Sequence, residues 1–78
     1  MTFIKKLEMV LDHYHIPYES NVIPFNFKLK GRYWYIYHET GGYRVVKETP
    51  NCIYTEEWFF NPKQFDNLAD IILEDIDE

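Results

Sequence analysis

The sequence predicts an α+β domain in the order α-β-β-β-(β)-α. Its centre is an antiparallel meander of three strands, or four if residues 52–60 extend, between an N-terminal and a C-terminal helix. Three observations predict it. Both ends carry apolar residues at helical spacing, the middle alternates apolar with polar, and Lys30-Gly31 and Gly41-Gly42 punctuate that middle as hairpin turns.

Residues 2 to about 15 form the first predicted helix. Phe3, Leu7, Val10 and Tyr14 recur at i, i+4, i+7 and i+11, with Ile4 and Leu11 beside them. Thr2 caps the start, and Pro17 ends the helix because it disfavours helical geometry at Ile16.

From Ile23 to Leu29 the alternation is clean. Ile23, Phe25, Phe27 and Leu29 share one face; Pro24, Asn26 and Lys28 share the other. Pro24 lacks a ladder donor, so this strand belongs at an edge or starts after the proline. Gly31 supplies the positive φ of a two-residue turn, and the next strand, Arg32 to His38, is aromatic on both faces. A turn at Gly41-Gly42 leads into a strand from Tyr43 to Glu48, which Thr49-Pro50-Asn51 stops.

The two turns set a register. Phe27 falls opposite Trp34, and Phe25 opposite Ile36. Glu39 falls opposite Arg44, His38 opposite Val45, and Tyr37 opposite Val46. Opposed residues share a face. The core side then holds Ile23, Phe25, Phe27, Leu29, Trp34, Ile36, His38 and Val45. The other side holds Asn26, Lys28, Tyr33, Tyr35, Tyr37, Glu39, Arg44, Val46 and Glu48. Residues 52–60 fit a short extra strand or an aromatic-rich loop, either able to cover the tyrosine side.

The last helix has the clearest start signal. Asn61 at the N-cap, Pro62 after it and Gln64 as its capping-box partner precede Phe65, which pairs with Phe60 as a hydrophobic staple. Phe65, Leu68, Ala69, Ile72 and Ile76 make its buried stripe. Asp66, Asp70, Glu74 and Asp77 line another side. The order α-β-β-β-α resembles that of double-stranded-RNA-binding domains. Those place basic residues at the start of the last helix, where this chain has only Lys63 and then turns acidic.

At 78 residues the chain is a single domain, 1–78, and small enough to need a dense core. Its 2 Trp, 7 Tyr and 6 Phe supply one. A single cysteine, Cys52, excludes an internal disulfide and a thiolate zinc site, and suits an intracellular, cytoplasmic setting. Lys5, Lys6 and Glu8 break any signal-peptide core, and no apolar run is long enough to span a membrane. The net charge is −5. Residues 1–49 hold seven basic against five acidic side chains, whereas residues 50–78 hold one against eight.

Two surfaces emerge as candidates for binding a partner. Tyr33, Tyr35 and Tyr37, with Lys28 and Arg44, suit a protein contact, where tyrosine and arginine are enriched. The same set suits stacking of single-stranded nucleic acid, worth roughly 1–3 kcal/mol per base, but acidity opposes the phosphate contacts that drive such binding. Asp66, Asp70, Glu74 and Asp77 repel one another on one helix, a row able to imitate a phosphate backbone. In size and charge the chain resembles small phage-encoded inhibitors of host defence enzymes. Nothing points to catalysis, a metal or a cofactor. Ser20 has no evident base, Cys52 has no cation near it in sequence, and His13 and His15 do not share a helix face. The expected function is therefore a small acidic, non-catalytic interaction protein, as a phage or mobile-element accessory protein or inhibitor. A single-stranded nucleic-acid-binding module and a homo-oligomer pairing its aromatic faces are the alternatives.

Overall fold

In a computed structural model of the chain, the described residues are 1–49 and 55–78. The elements are α1 (Phe3–His13), β1 (Tyr18–Glu19), β2 (Phe25–Leu29), β3 (Arg32–Glu39), β4 (Gly42–Glu48), β5 (Thr55–Phe60) and α2 (Phe65–Asp77). The architecture is α+β, but with five strands instead of three or four. All are antiparallel, in the spatial order β1-β2-β3-β4-β5. The added members are β1, a two-residue strand too short to show periodicity, and β5, which takes the extended option for residues 55–60. Residues 50–54, with Cys52 and the proposed stop at Pro50-Asn51, lie outside the described residues.

Thr2 caps α1, its hydroxyl accepting from the Lys5 amide at 3.2 Å. The helix ends before Pro17 acts. Tyr14 is the C-cap, and His15 adopts φ 58°, so that its N–H donates to Asp12 and the Ile16 N–H donates to Leu11. This is a Schellman ending in which a histidine occupies the position glycine favours. Ile16 follows and is buried. His15→Gly is expected to raise stability by about 0.5–1 kcal/mol, read as a higher urea midpoint with unchanged slope.

The β2–β3 turn forms at Lys30-Gly31, both with positive φ (52° and 81°), and gives the expected pairs Phe27–Trp34 and Phe25–Ile36. The second turn differs by one residue. Its loop is Thr40-Gly41, with Gly41 at φ 87°, and Gly42 is already paired with Glu39. Tyr37 therefore opposes Arg44, and Ile36 opposes Val45. Moving a two-residue loop by one position shifts the pairing by two, which keeps every side chain on its expected face. Gly42 is required in the strand for another reason. A Cβ there would lie 2.2 Å from the Phe60 carbonyl oxygen of β5.

The core lies on one side of the sheet under both helices. It joins Phe3, Leu7 and Leu11 of α1 and Phe65, Leu68 and Ile72 of α2 to Phe25, Phe27, Trp34, Ile36 and Val45. Two expected members are not in it. Ile23 precedes β2 and is fully exposed, since the strand begins after Pro24. His38 is exposed at the strand end, where it caps a stack. Its ring lies 4.6 Å from Tyr43, which lies 4.1 Å from Phe3. At the other end Phe27, Trp34 and Trp58 stack at 5.4 and 5.7 Å.

The Asn61–Gln64 pair also forms, with one change. The Asn61 amide donates to Gln64 Oε1 and the Lys63 amide to Asn61 Oδ1, both at 2.9 Å. These contacts close a turn ahead of α2, and the helix itself starts at Phe65.

Candidate functional site

The outer face of the sheet is the side turned away from both helices. Alternation along the strands brings there Glu19 from β1, Asn26 and Lys28 from β2, and Tyr33, Tyr35, Tyr37 and Glu39 from β3. Arg44, Val46 and Glu48 come from β4, and Thr55, Glu57 and Phe59 from β5. β5 lies beside β4 in the plane of the sheet, so Thr55–Phe60 extends this face rather than covering it. Its exposure is uneven: Val46 is buried, and Tyr35 and Tyr37 are half-buried. Tyr33 is 41% exposed and Phe59 52%.

The tyrosine row is held by its neighbours. The Tyr33 and Tyr35 rings lie 6.2 Å apart with 25° between their planes. Lys28 Nζ sits 5.4 Å from the Tyr33 ring centre, and the Arg44 guanidinium 4.6 Å from that of Tyr37. Such cation–ring contacts at exposed sites contribute about 0.5–1 kcal/mol each. The Tyr35 hydroxyl donates to Glu48 at 3.1 Å. Burial of the phenol, helped by that bond, pushes its pKa above the ordinary tyrosine value. Arg44 Nε donates to Glu39 at 2.9 Å and its Nη1 to Glu57 at 3.3 Å. The bond to Glu39 is the main reason its pKa stands above the ordinary arginine value. Arg44 is thus clamped between two carboxylates and one ring.

The expected partner-binding residues divide into two groups on opposite sides of the molecule. Tyr33, Tyr35, Tyr37, Lys28 and Arg44 come together on the outer face. Asp66, Asp70, Glu74 and Asp77 are exposed along α2, beyond the core. The last helical turn gathers negative charge where the helix dipole is itself negative. One lysine from the β2–β3 turn and one from β4 offset it. Lys30 Nζ donates to the Glu78 backbone carbonyl, and Lys47 Nζ reaches Asp75 Oδ1 at 2.7 Å.

The Lys47–Asp75 pair was absent from the expected sites. Both side chains are at least nine-tenths buried, and Lys47 also stands 5.2 Å from the Trp34 ring centre. The signal is present in the pattern. Lys47 is two residues after Val45, hence on the core side, and Asp75 is three after Ile72 on the buried stripe. The indole Nε1 of Trp34, buried below, has no hydrogen-bond partner among the described residues.

His13 and His15 are exposed at the end of α1. No group of three or more His, Cys, Asp or Glu placed to hold a metal ion occurs among the described residues, and none of their helices is long and apolar enough to cross a membrane. Comparison with protein-family models, with curated proteins and with solved structures gives no match.

Proposed function

We propose that this chain is a small non-catalytic protein-binding module whose main contact is the outer face of the sheet. One observation carries this. The face is rich in aromatic surface, and its carboxylates (Glu19, Glu39, Glu48, Glu57) outnumber its cations (Lys28, Arg44) four to two. Arg44 is held by Glu39 and Glu57, and Lys28 lies over Tyr33. Glu19 and Glu48 add further negative charge to the same face. A phosphate backbone would meet four carboxylates and no free guanidinium, which opposes nucleic acid. A protein surface bearing lysine or arginine meets rings and carboxylates together, a combination that suits it.

A partner of that kind fits an intracellular role. In it a phage or mobile-element accessory protein occupies the basic groove of a host nucleic-acid enzyme, with the α2 carboxylates as a second acidic surface. The test is co-purification from host lysate using folded variants. Tyr35→Ala is expected to weaken capture by about thirtyfold, corresponding to a hot-spot loss of roughly 2 kcal/mol. Reversal of Asp70 and Glu74 to lysine reports on the helix separately. Capture that survives both changes rejects the proposal. So does tight binding of a labelled single-stranded oligonucleotide at low salt, which favours the nucleic-acid alternative.

A further inference from the structure

The two edges of the sheet are unequal. β1 is two residues long, whereas β5 runs for six and no described residue pairs with its far side. Ladder geometry shows which groups are open. A two-residue loop closes on a hydrogen-bonded pair, here Glu39 and Gly42, so the backbones of Tyr43, Val45 and Lys47 turn toward β5. Their partners Phe60, Trp58 and Glu56 turn back toward β4. The N–H and C=O groups of Thr55, Glu57 and Phe59 therefore point outward, a free row of donors and acceptors.

Side chains grade along that edge. Thr55, Glu56 and Glu57 are exposed at one end; Trp58, Phe59 and Phe60 follow at the other. On the core side a cleft of about 310 Å³ runs between β5 and the end of α2, and includes Glu56, Trp58, Glu74 and Glu78 in its walls. Its cations are Arg32 and Lys47, the latter tied to Asp75. No ion pair among the described residues engages Glu56 or Glu74. The edge is thus acidic, then apolar. Charged residues on both copies of an edge oppose self-pairing, whereas a basic strand is complementary.

We propose that the open edge of β5 accepts an extended segment of a protein partner as a sixth strand. That segment carries lysine or arginine opposite Glu56 and Glu57 and apolar residues opposite Trp58 and Phe59. Main-chain bonds to Glu57 and Phe59 supply affinity, and the charge gradient sets register and direction. Pairing is antiparallel, as throughout the sheet. The inference rests on the reading of the chain as a protein-binding module and adds to it the form of the partner.

The probe is the blocked hexapeptide Thr-Val-Val-Lys-Lys-Thr, titrated while backbone amide exchange is followed. The Glu57 and Phe59 amides are expected to slow, and the Trp58 amide, already bonded inside the sheet, to stay unchanged. Glutamate in place of the two lysines is expected to weaken binding by more than about tenfold. Phe59→Ala keeps the outward N–H and loses only the ring contact, so binding weakens severalfold but persists, whereas Phe59→Pro removes that N–H and abolishes binding. Should the proline variant not fold, N-methylating the peptide on its β5-facing amides takes its place, and loss of binding is again expected. Unchanged exchange at Glu57 and Phe59, equal binding of the glutamate peptide, or a dimer formed through this edge each overturns the proposal. Tyr35→Ala lies two strands away and is expected to leave peptide affinity within about twofold. If edge protection fails while partner capture still depends on Tyr35, strand addition falls and the protein-binding function stands.

Discussion

Asp75→Ala is expected to lower the unfolding free energy by about 3 kcal/mol, read from urea midpoints followed by circular dichroism. The pair it breaks is nine-tenths buried on both sides, and its 2.7 Å contact ties the last turn of α2 to β4. Removing the carboxylate takes from the largely buried Lys47 ammonium, above the Trp34 ring, the one anion bonded to it. A domain of 78 residues holds only roughly 4–12 kcal/mol in total, so a large share of its stability goes with one side chain. Lys47→Met combined with Asp75→Leu is expected to recover most of the loss, because two apolar groups of similar volume leave no charge behind. If Asp75→Ala costs less than about 1 kcal/mol, the pair behaves as a solvated surface contact.

Gly42→Ala is the second large effect. The added methyl would meet the Phe60 carbonyl oxygen at 2.2 Å and two more backbone atoms at 3.0 Å. Backbone on both sides cannot swing away as a flexible side chain does. The two strands must separate at the pair Tyr43–Phe60 or the variant must unfold. Overpacking of this kind costs about 1–3 kcal/mol and more where the neighbour is rigid, so the expected loss is at or above the top of that range. Gly41→Ala makes a useful contrast. No heavy atom lies within 4 Å of its would-be Cβ, and its cost comes only from the positive φ of 87°. Thermal melts of the two variants side by side check this. An equal loss at both positions removes close strand approach as the reason for glycine at 42.

These two glycines show what was legible in the sequence. The pair announced a turn, and the turn is there, but glycine serves two purposes that composition does not separate. One gives φ freedom at Gly41; the other gives room for β5 at Gly42. Reading both as loop residues displaced the β3–β4 pairing by two, which the period-two alternation absorbs. The tyrosine face was therefore read correctly even though the partners of Tyr37 and Glu39 were not. β1 and β5 were harder to see. A strand of two residues carries no period, and in Thr55–Phe60 large side chains sit on both faces, which leaves the direction of packing to tertiary contacts. The end of α1 was assigned to Pro17, the residue that cannot continue a helix. The chain in fact turns two residues earlier, at His15, through backbone bonds that histidine tolerates. Lys47 and Asp75 are hard to place from composition because their charge argues for solvent, although both stand at core-side positions of their elements.

The stacked pair Trp34 and Trp58 has an optical consequence. These are the chain's two tryptophans, held 5.7 Å apart with their planes within 9°. Indoles so close couple electronically, and the coupling adds to the far-ultraviolet circular dichroism a contribution that neither ring makes alone. Trp34 belongs to the central strand and Trp58 to the edge strand, so the signal persists only while β5 stays docked. The chain thus carries an internal gauge of its own edge, readable without a label, that separates peeling of β5 from unfolding of the whole domain.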